Sequence, residues 1–212
     1  MKSLIGILLA VWFGVIYFLG ANEIFIQPPG ALPFPILIGV IVPVIVFVAA
    51  ILISGTFKKF FLESDLRLLT AIQAWRAAGL GFLALYTHGI LPGSFALPAG
   101  WGDIAIGITS PWVMLALIRR HNFATSRTFI GWNVLGLLDL VLAITMGALS
   151  SGLFPGLTGA ITTTPMAALP LVFIPTYLVP LFVMLHITSL MQAKRRMRSG
   201  EFEQQEPTKL VA

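Results

Sequence analysis

Six stretches of the chain are nearly unbroken apolar runs, at about 4–19, 35–53, 69–90, 100–118, 129–149 and 169–191, with the polar residues gathered between them. About 20 residues at 1.5 Å each cross the hydrocarbon core of a bilayer, so each run suits one crossing. In lipid every backbone donor and acceptor must be satisfied within the protein, and the period-two alternation of a membrane barrel is missing. The pattern therefore predicts an all-α polytopic integral membrane protein, a six-helix transmembrane bundle over 1–198. The remaining stretch, 199–212 (SGEFEQQEPTKLVA), is polar and mixed in charge and reads as a short disordered tail.

Composition supports the lipid environment and narrows the chemistry. The chain has 58% hydrophobic and only 10% charged residues, with a mean hydropathy of +0.96, whereas soluble domains carry about 25% charged residues. The net charge of +5 does not indicate a nucleic-acid partner, because the basic residues form short clusters between apolar runs and not an aromatic-interleaved face. Cysteine is absent, which excludes disulfides, thiolate metal sites and thiol nucleophiles. Neither HExxH nor GxSxG occurs, and phosphate-cradling glycine loops are lacking.

The basic clusters set an expected orientation. Lys2, then Lys58, Lys59 and Arg67, then Arg119, Arg120 and Arg127, and finally Lys194, Arg195, Arg196, Arg198 and Lys209 all fall on one side of a six-span chain, 12 of the 13 basic residues. Positive charge marks the cytoplasmic side. Both termini are thus expected in the cytoplasm, with the protein in a membrane such as the bacterial cytoplasmic membrane. The first run is longer than the roughly 7 to 15 apolar residues of a cleaved signal and is read as a retained helix. Between the second and third runs, TFKKFFLESDL suggests a short helix lying at the cytoplasmic interface.

Spacing locates the chemistry. Gly6, Ala10 and Gly14 form a small-residue stripe on the first helix, suited to close packing. On the fourth, Gly100, Asp103, Gly107, Ser110 and Met114 share a face; on the fifth, Trp132, Gly136, Asp139, Ala143 and Met146 do so. A carboxylate flanked by small residues points into the bundle. Prolines 165, 170, 175 and 180 interrupt the last run, predicting either a bent helix behind an irregular, turn-rich segment that folds back as a cap, or a discontinuous helix shaping a cavity.

Charge at membrane depth is expensive, so Arg76, Asp103 and Asp139 each require a partner or a purpose. Arg76 and Asp139 lie about 10 Å and 16 Å above the inner ends of their helices at 1.5 Å per residue, a difference that an Arg side chain spans. They are expected to pair, with Gln73 and Asn133 adding hydrogen bonds. That pair is either a structural clamp or a site where Asp139 exchanges its partner for a proton or substrate. Asp103 is expected about one turn inside the outer end of its helix, beside His88, either as a cap or, with Glu23, Tyr86 and Trp101, as a site open to the outer face. His186 is placed near the inner end of the sixth helix and His121 in an inner loop, too far from His88 in depth to share an iron with it.

The leading expectation is a small transporter or a small-molecule or ion-binding protein, with Arg76, His88, Asp103 and Asp139 on a substrate or proton pathway. It would work in the bilayer as a homo-oligomer or in a larger membrane complex. The alternatives are an accessory or scaffold subunit of such a complex, and a membrane-embedded enzyme or haem protein. The sequence names no cofactor.

Overall fold

A computed structural model describes residues 1–28, 30–120, 122–154 and 160–205. His121 and the last residues of the expected tail, 206–212, lie outside them. The described residues are mostly helical and include no strand: α1 (Lys2–Ala21), α2 (Phe34–Ile53), α3 (Gly55–Leu62), α4 (Leu66–Ile72), α5 (Leu80–Thr87), α6 (Gly93–Arg119), α7 (Arg127–Leu149) and α8 (Val179–Gln205). A 3-10 turn, Gln73–Gly79, joins α4 to α5 in one continuous span, and a π turn, Ile174–Leu178, leads into α8. Six helices are long and apolar enough to cross a membrane.

Three helices, α3, α4 and α7, start where a side chain supplies a hydrogen-bond acceptor for the free N–H groups of the first turn. Ser54 Oγ accepts from Phe57 N at 3.2 Å, Asp65 Oδ1 from Arg67 N at 2.9 Å and Ser126 Oγ from Phe129 N at 3.1 Å. The second connection forms the expected short helix, α3, whose Phe57 and Phe61 pack edge-on against Phe47 while Lys58 and Lys59 stay exposed.

Two spans differ in extent from the sequence reading. Helix α6 begins at Gly93, not near 100, and carries Pro98 inside it. Phe95, Ala96 and Ala99 are buried around that proline, and their packing outweighs the one backbone donor it lacks. The last helix begins later, at 174, and runs on through Gln205, past the basic cluster. Before it, residues 160–168 fold back on the bundle: Thr163 Oγ1 donates to Gly147 O at 2.7 Å, and Met166 and Ala167 are buried.

The third span, α6, α7 and α8 pack around one another, and α2 lies against α8 and the π turn. Glycines permit the closest approach. A Cβ on Gly79 would sit 2.6 Å from Asp103 Cβ, and one on Gly107 would strike the backbone of Arg76 and Ala77. Helix α1 is peripheral, burying only Ile16 and Gly20 and stacking Phe13 on Phe173 at 4.4 Å. Its Gly6 and Gly14 have open space beside them, so the small-residue stripe serves no packing within the chain. The described parts of the connections between α1 and α2, α5 and α6, and α7 and α8 gather at one end, where Ser94 Oγ meets Ser150 Oγ at 2.9 Å. At the opposite end Gln192 Nε2 of α8 donates to Phe61 O and Ser64 O beside α3, both at 2.9 Å.

Candidate functional site

Arg76 stands in the middle of the third span, on the 3-10 turn, with its side chain fully buried. Tightening a helix to three residues per turn changes where successive side chains point, and a 3-10 stretch in mid-helix often marks a functional position. The guanidinium spreads its donors over three neighbouring helices. Nε donates to Asp103 Oδ1 at 2.7 Å on α6, Nη2 forms an ion pair with Asp139 Oδ2 on α7, and Nη1 donates to Gly136 O at 3.2 Å. On α8, His186 Nε2 lies 3.2 Å from the same Nη1.

His186 is itself positioned from behind. Its Nδ1 lies 2.9 Å from Asn133 Oδ1, and Asn133 Nδ2 donates to Phe129 O at 2.9 Å, which fixes the amide orientation. Asn133 Oδ1 can only accept, so Nδ1 carries the hydrogen and Nε2 offers its lone pair to Arg76. His186 is therefore uncharged in this arrangement. Trp132 packs edge-on against the imidazole at 5.6 Å and anchors its own Nε1 on Thr109 Oγ1 at 2.9 Å.

Small residues make room for this network. A Cβ on Gly102 would overlap the Asp139 carboxylate, and one on Gly136 would strike His186. Asp103 lies 10 residues inside Gly93 and Asp139 10 residues inside Leu149, so both sit about 15 Å from the loop end at 1.5 Å per residue. The cluster occupies the middle of the membrane-spanning region.

A cavity of about 90 Å³ reaches this cluster from the loop end. Its walls come from α2 (Ile36, Leu37, Val40), from Phe82 and Phe95 on α5 and α6, from Leu140, Ala143 and Ile144 on α7, and from Ile174 and Pro175 on the π turn. Thr163, Thr164 and Met166 of the folded-back segment, with Gln27 and Pro28, line its outer part. Among the described residues, Asp103 is the one charged residue that lines it.

The predicted residues therefore sort into two groups. Arg76 and Asp139 pair as expected, and Asn133 supports them through His186. Gln73 is buried nearby but donates to Phe182 O at 3.3 Å, and its Oε1 has no partner among the described residues. His88 does not meet Asp103: it is exposed at the end of α5, with its Nδ1 2.8 Å from Ala84 O. The reason is the early start of α6, which carries Asp103 three turns below the membrane end and into reach of Arg76. Glu23, Tyr86 and Trp101 are also exposed and take no part in the cluster. His186 was missed because the last span was placed too early. Its distance from Lys194, eight positions or about 12 Å of helix, would have shown its depth. Among the described residues, no group of three or more His, Cys, Asp or Glu is placed to hold a metal ion.

Residues 33–193 match a family model described as a domain of unknown function (DUF8737). The chain belongs to that family. The DUF8737 region takes in all four spans that contribute to the Arg76 cluster and every wall of the cavity except the turn after α1. No curated protein and no solved structure matches the chain.

Proposed function

We propose that the chain is a small membrane transporter or ligand-binding protein, and that its site is the cavity floored by Asp103. The observation that carries this reading is that one carboxylate belongs both to the cavity wall and to the buried ion network. Apolar walls with a few convergent polar groups are the common form of a small-molecule site. Dry walls also strengthen any electrostatic interaction at the floor. A structural clamp needs one carboxylate for one guanidinium; a second, facing open space, exceeds what helix register requires.

Two features favour movement of a ligand over simple storage. The 3-10 turn holds Arg76, and the π turn contributes Ile174 and Pro175 to the cavity wall, so two spans beside the site depart from regular helix. Such departures are places where a helix can hinge. The gathering of 12 basic residues on one side of the six-span chain favours cytoplasmic termini, and on that reading the cavity opens to the opposite face of the membrane.

The test is binding of a naphthalene-based fluorescent probe to the purified chain in nanodiscs. Ala143→Trp fills the cavity from α7 without touching the ion cluster and is expected to weaken binding at least about tenfold, about 1.4 kcal/mol. Equal affinity for both proteins would refute the site. Reporters fused after Arg120 and Arg196 are expected on the same, cytoplasmic, side.

A further inference from the structure

The groups that meet at the cavity floor do not balance in charge. Arg76 brings one positive charge, and Asp103 and Asp139 bring one negative charge each. His186, which faces them from α8, is uncharged in the proton arrangement that its contacts with Asn133 and Arg76 require. Among the described residues no other charged side chain lines the cavity: α2, α5, α7, the π turn and the folded-back segment present only uncharged residues to it. Fully ionised, the site would hold one excess negative charge near mid-membrane, where an unneutralised ion costs several kcal/mol.

Resting on the cavity reading above, we propose that this site holds one exchangeable monovalent cation: a proton on Asp103 when the cavity is empty, and an amphipathic organic cation when it is filled. The place for both is Asp103 Oδ2. Its partner oxygen, Oδ1, accepts from Arg76 Nε, Oδ2 receives no hydrogen bond from the described residues, and Asp103 is the residue of the ion cluster that lines the cavity. The walls select the kind of cation. Metal ions of the alkali group require several oxygen ligands in place of water, whereas the side chains lining the cavity around Asp103 are apolar and the uncharged polar ones, Gln27, Ser151, Thr163 and Thr164, belong to its outer part. Phe82 and Phe95, whose rings lie edge to face at 5.3 Å, line the cavity with Phe25 and Asp103. Aromatic faces beside a carboxylate are how proteins receive quaternary and other bulky ammonium groups.

The exchange balances without a co-reactant. The cation enters from the loop end and takes its place beside the carboxylate; the O–H bond of Asp103 breaks, and the proton leaves to water at the cavity mouth. One positive charge enters and one leaves, so the cluster stays neutral in both states and the burial cost is never incurred. Coupled in this way, a proton gradient would drive cation movement in the opposite direction.

The experiment uses the full chain in nanodiscs with two probes: naphthylmethyl-trimethylammonium, whose charge is permanent, and neopentylnaphthalene, in which carbon replaces the nitrogen. The expected result is preferential binding of the cation, release of about one proton per cation in weakly buffered solution, and an affinity that rises about tenfold per pH unit where the empty site holds its proton. Asp103→Asn keeps an oxygen for Arg76 Nε and should still fold. It is expected to weaken the cation about a hundredfold and to remove the pH dependence, with the neutral probe little changed. Cation binding without proton release, or equal affinity for the two probes, would overturn the exchange while leaving the cavity as a binding site. Failure of both probes to bind would overturn the cavity reading and this inference with it.

Discussion

Replacing Arg76 by Met removes the hub of the buried network while keeping a flexible apolar chain in its place. Four acceptors lose their donor: Asp103 Oδ1 at 2.7 Å, Gly136 O and His186 Nε2 at 3.2 Å, and Asp139 Oδ2. The carboxylates cannot compensate by turning to water, since their side chains are only 15% and 12% exposed. Removing one partner from a buried ion pair costs about 3–5 kcal/mol, because the other charge stays behind. That lowers the folded-to-unfolded ratio by roughly two to nearly four orders of magnitude. The same reasoning makes a sharper forecast for the triple change Arg76→Met, Asp103→Asn and Asp139→Asn. With the charges gone, the remaining deficit is the loss of the Arg76 donor at His186 Nε2 and Gly136 O, about 1–3 kcal/mol, so two further substitutions are expected to restore part of the stability. The assay is reversible unfolding from mixed micelles by SDS, followed through tryptophan fluorescence, with Trp132 packed beside His186 as an internal reporter. Arg76→Lys should fall between, since one ammonium cannot reproduce the fork that reaches both α6 and α7. A stability for Arg76→Met within about 1 kcal/mol of the parent, or a triple variant no better than the single, would show that the cluster is hydrated and that burial does not govern it.

Two glycine substitutions separate tight from open helix faces. Gly107→Ala drives a methyl into the backbone of Arg76 and Ala77 and is expected to cost about 1–3 kcal/mol in the same assay, whereas Gly14→Ala meets nothing within 4 Å and should change stability by less than about 0.5 kcal/mol. At the start of the third span, hydrogen bonding from Arg67 N holds the Asp65 carboxyl below its ordinary value of 3.8. A lowered value in the folded state means that the charged form contributes stability above the unfolded value, and that this contribution is lost as pH falls through the folded value. Asp65→Ala should therefore cost about 1 kcal/mol at neutral pH, as an N-cap does, and the difference from the parent should shrink as the solution is acidified below that point.

The membrane architecture was legible because it depends on local quantities. Run length, apolar content and the absence of period-two alternation are properties of each segment alone, and the bilayer reads them one segment at a time. The faces of α6 and α7 were legible for a related reason: helical periodicity puts Asp103 with Gly100 and Gly107, and Asp139 with Gly136, whatever the neighbouring helix is. Depth allowed the Arg76–Asp139 pair to be anticipated.

Helix ends were harder, and the site depended on them. Proline at 98 reads as a boundary in sequence, yet buried packing of Phe95, Ala96 and Ala99 carries the helix through it. That shift moves Asp103 from the company of His88 to that of Arg76. A late start and long extension of the last helix move His186 to mid-membrane, where it joins the cluster. The sequence by itself determined that six helices are long and apolar enough to cross lipid and that three charges inside them need partners, since both follow from the cost of polar groups in hydrocarbon. Which partners they find, and that one carboxylate is left facing a cavity, was decided only by the tertiary structure, because a register shift of one or two turns is nearly free locally and is settled by the packing of four helices at once.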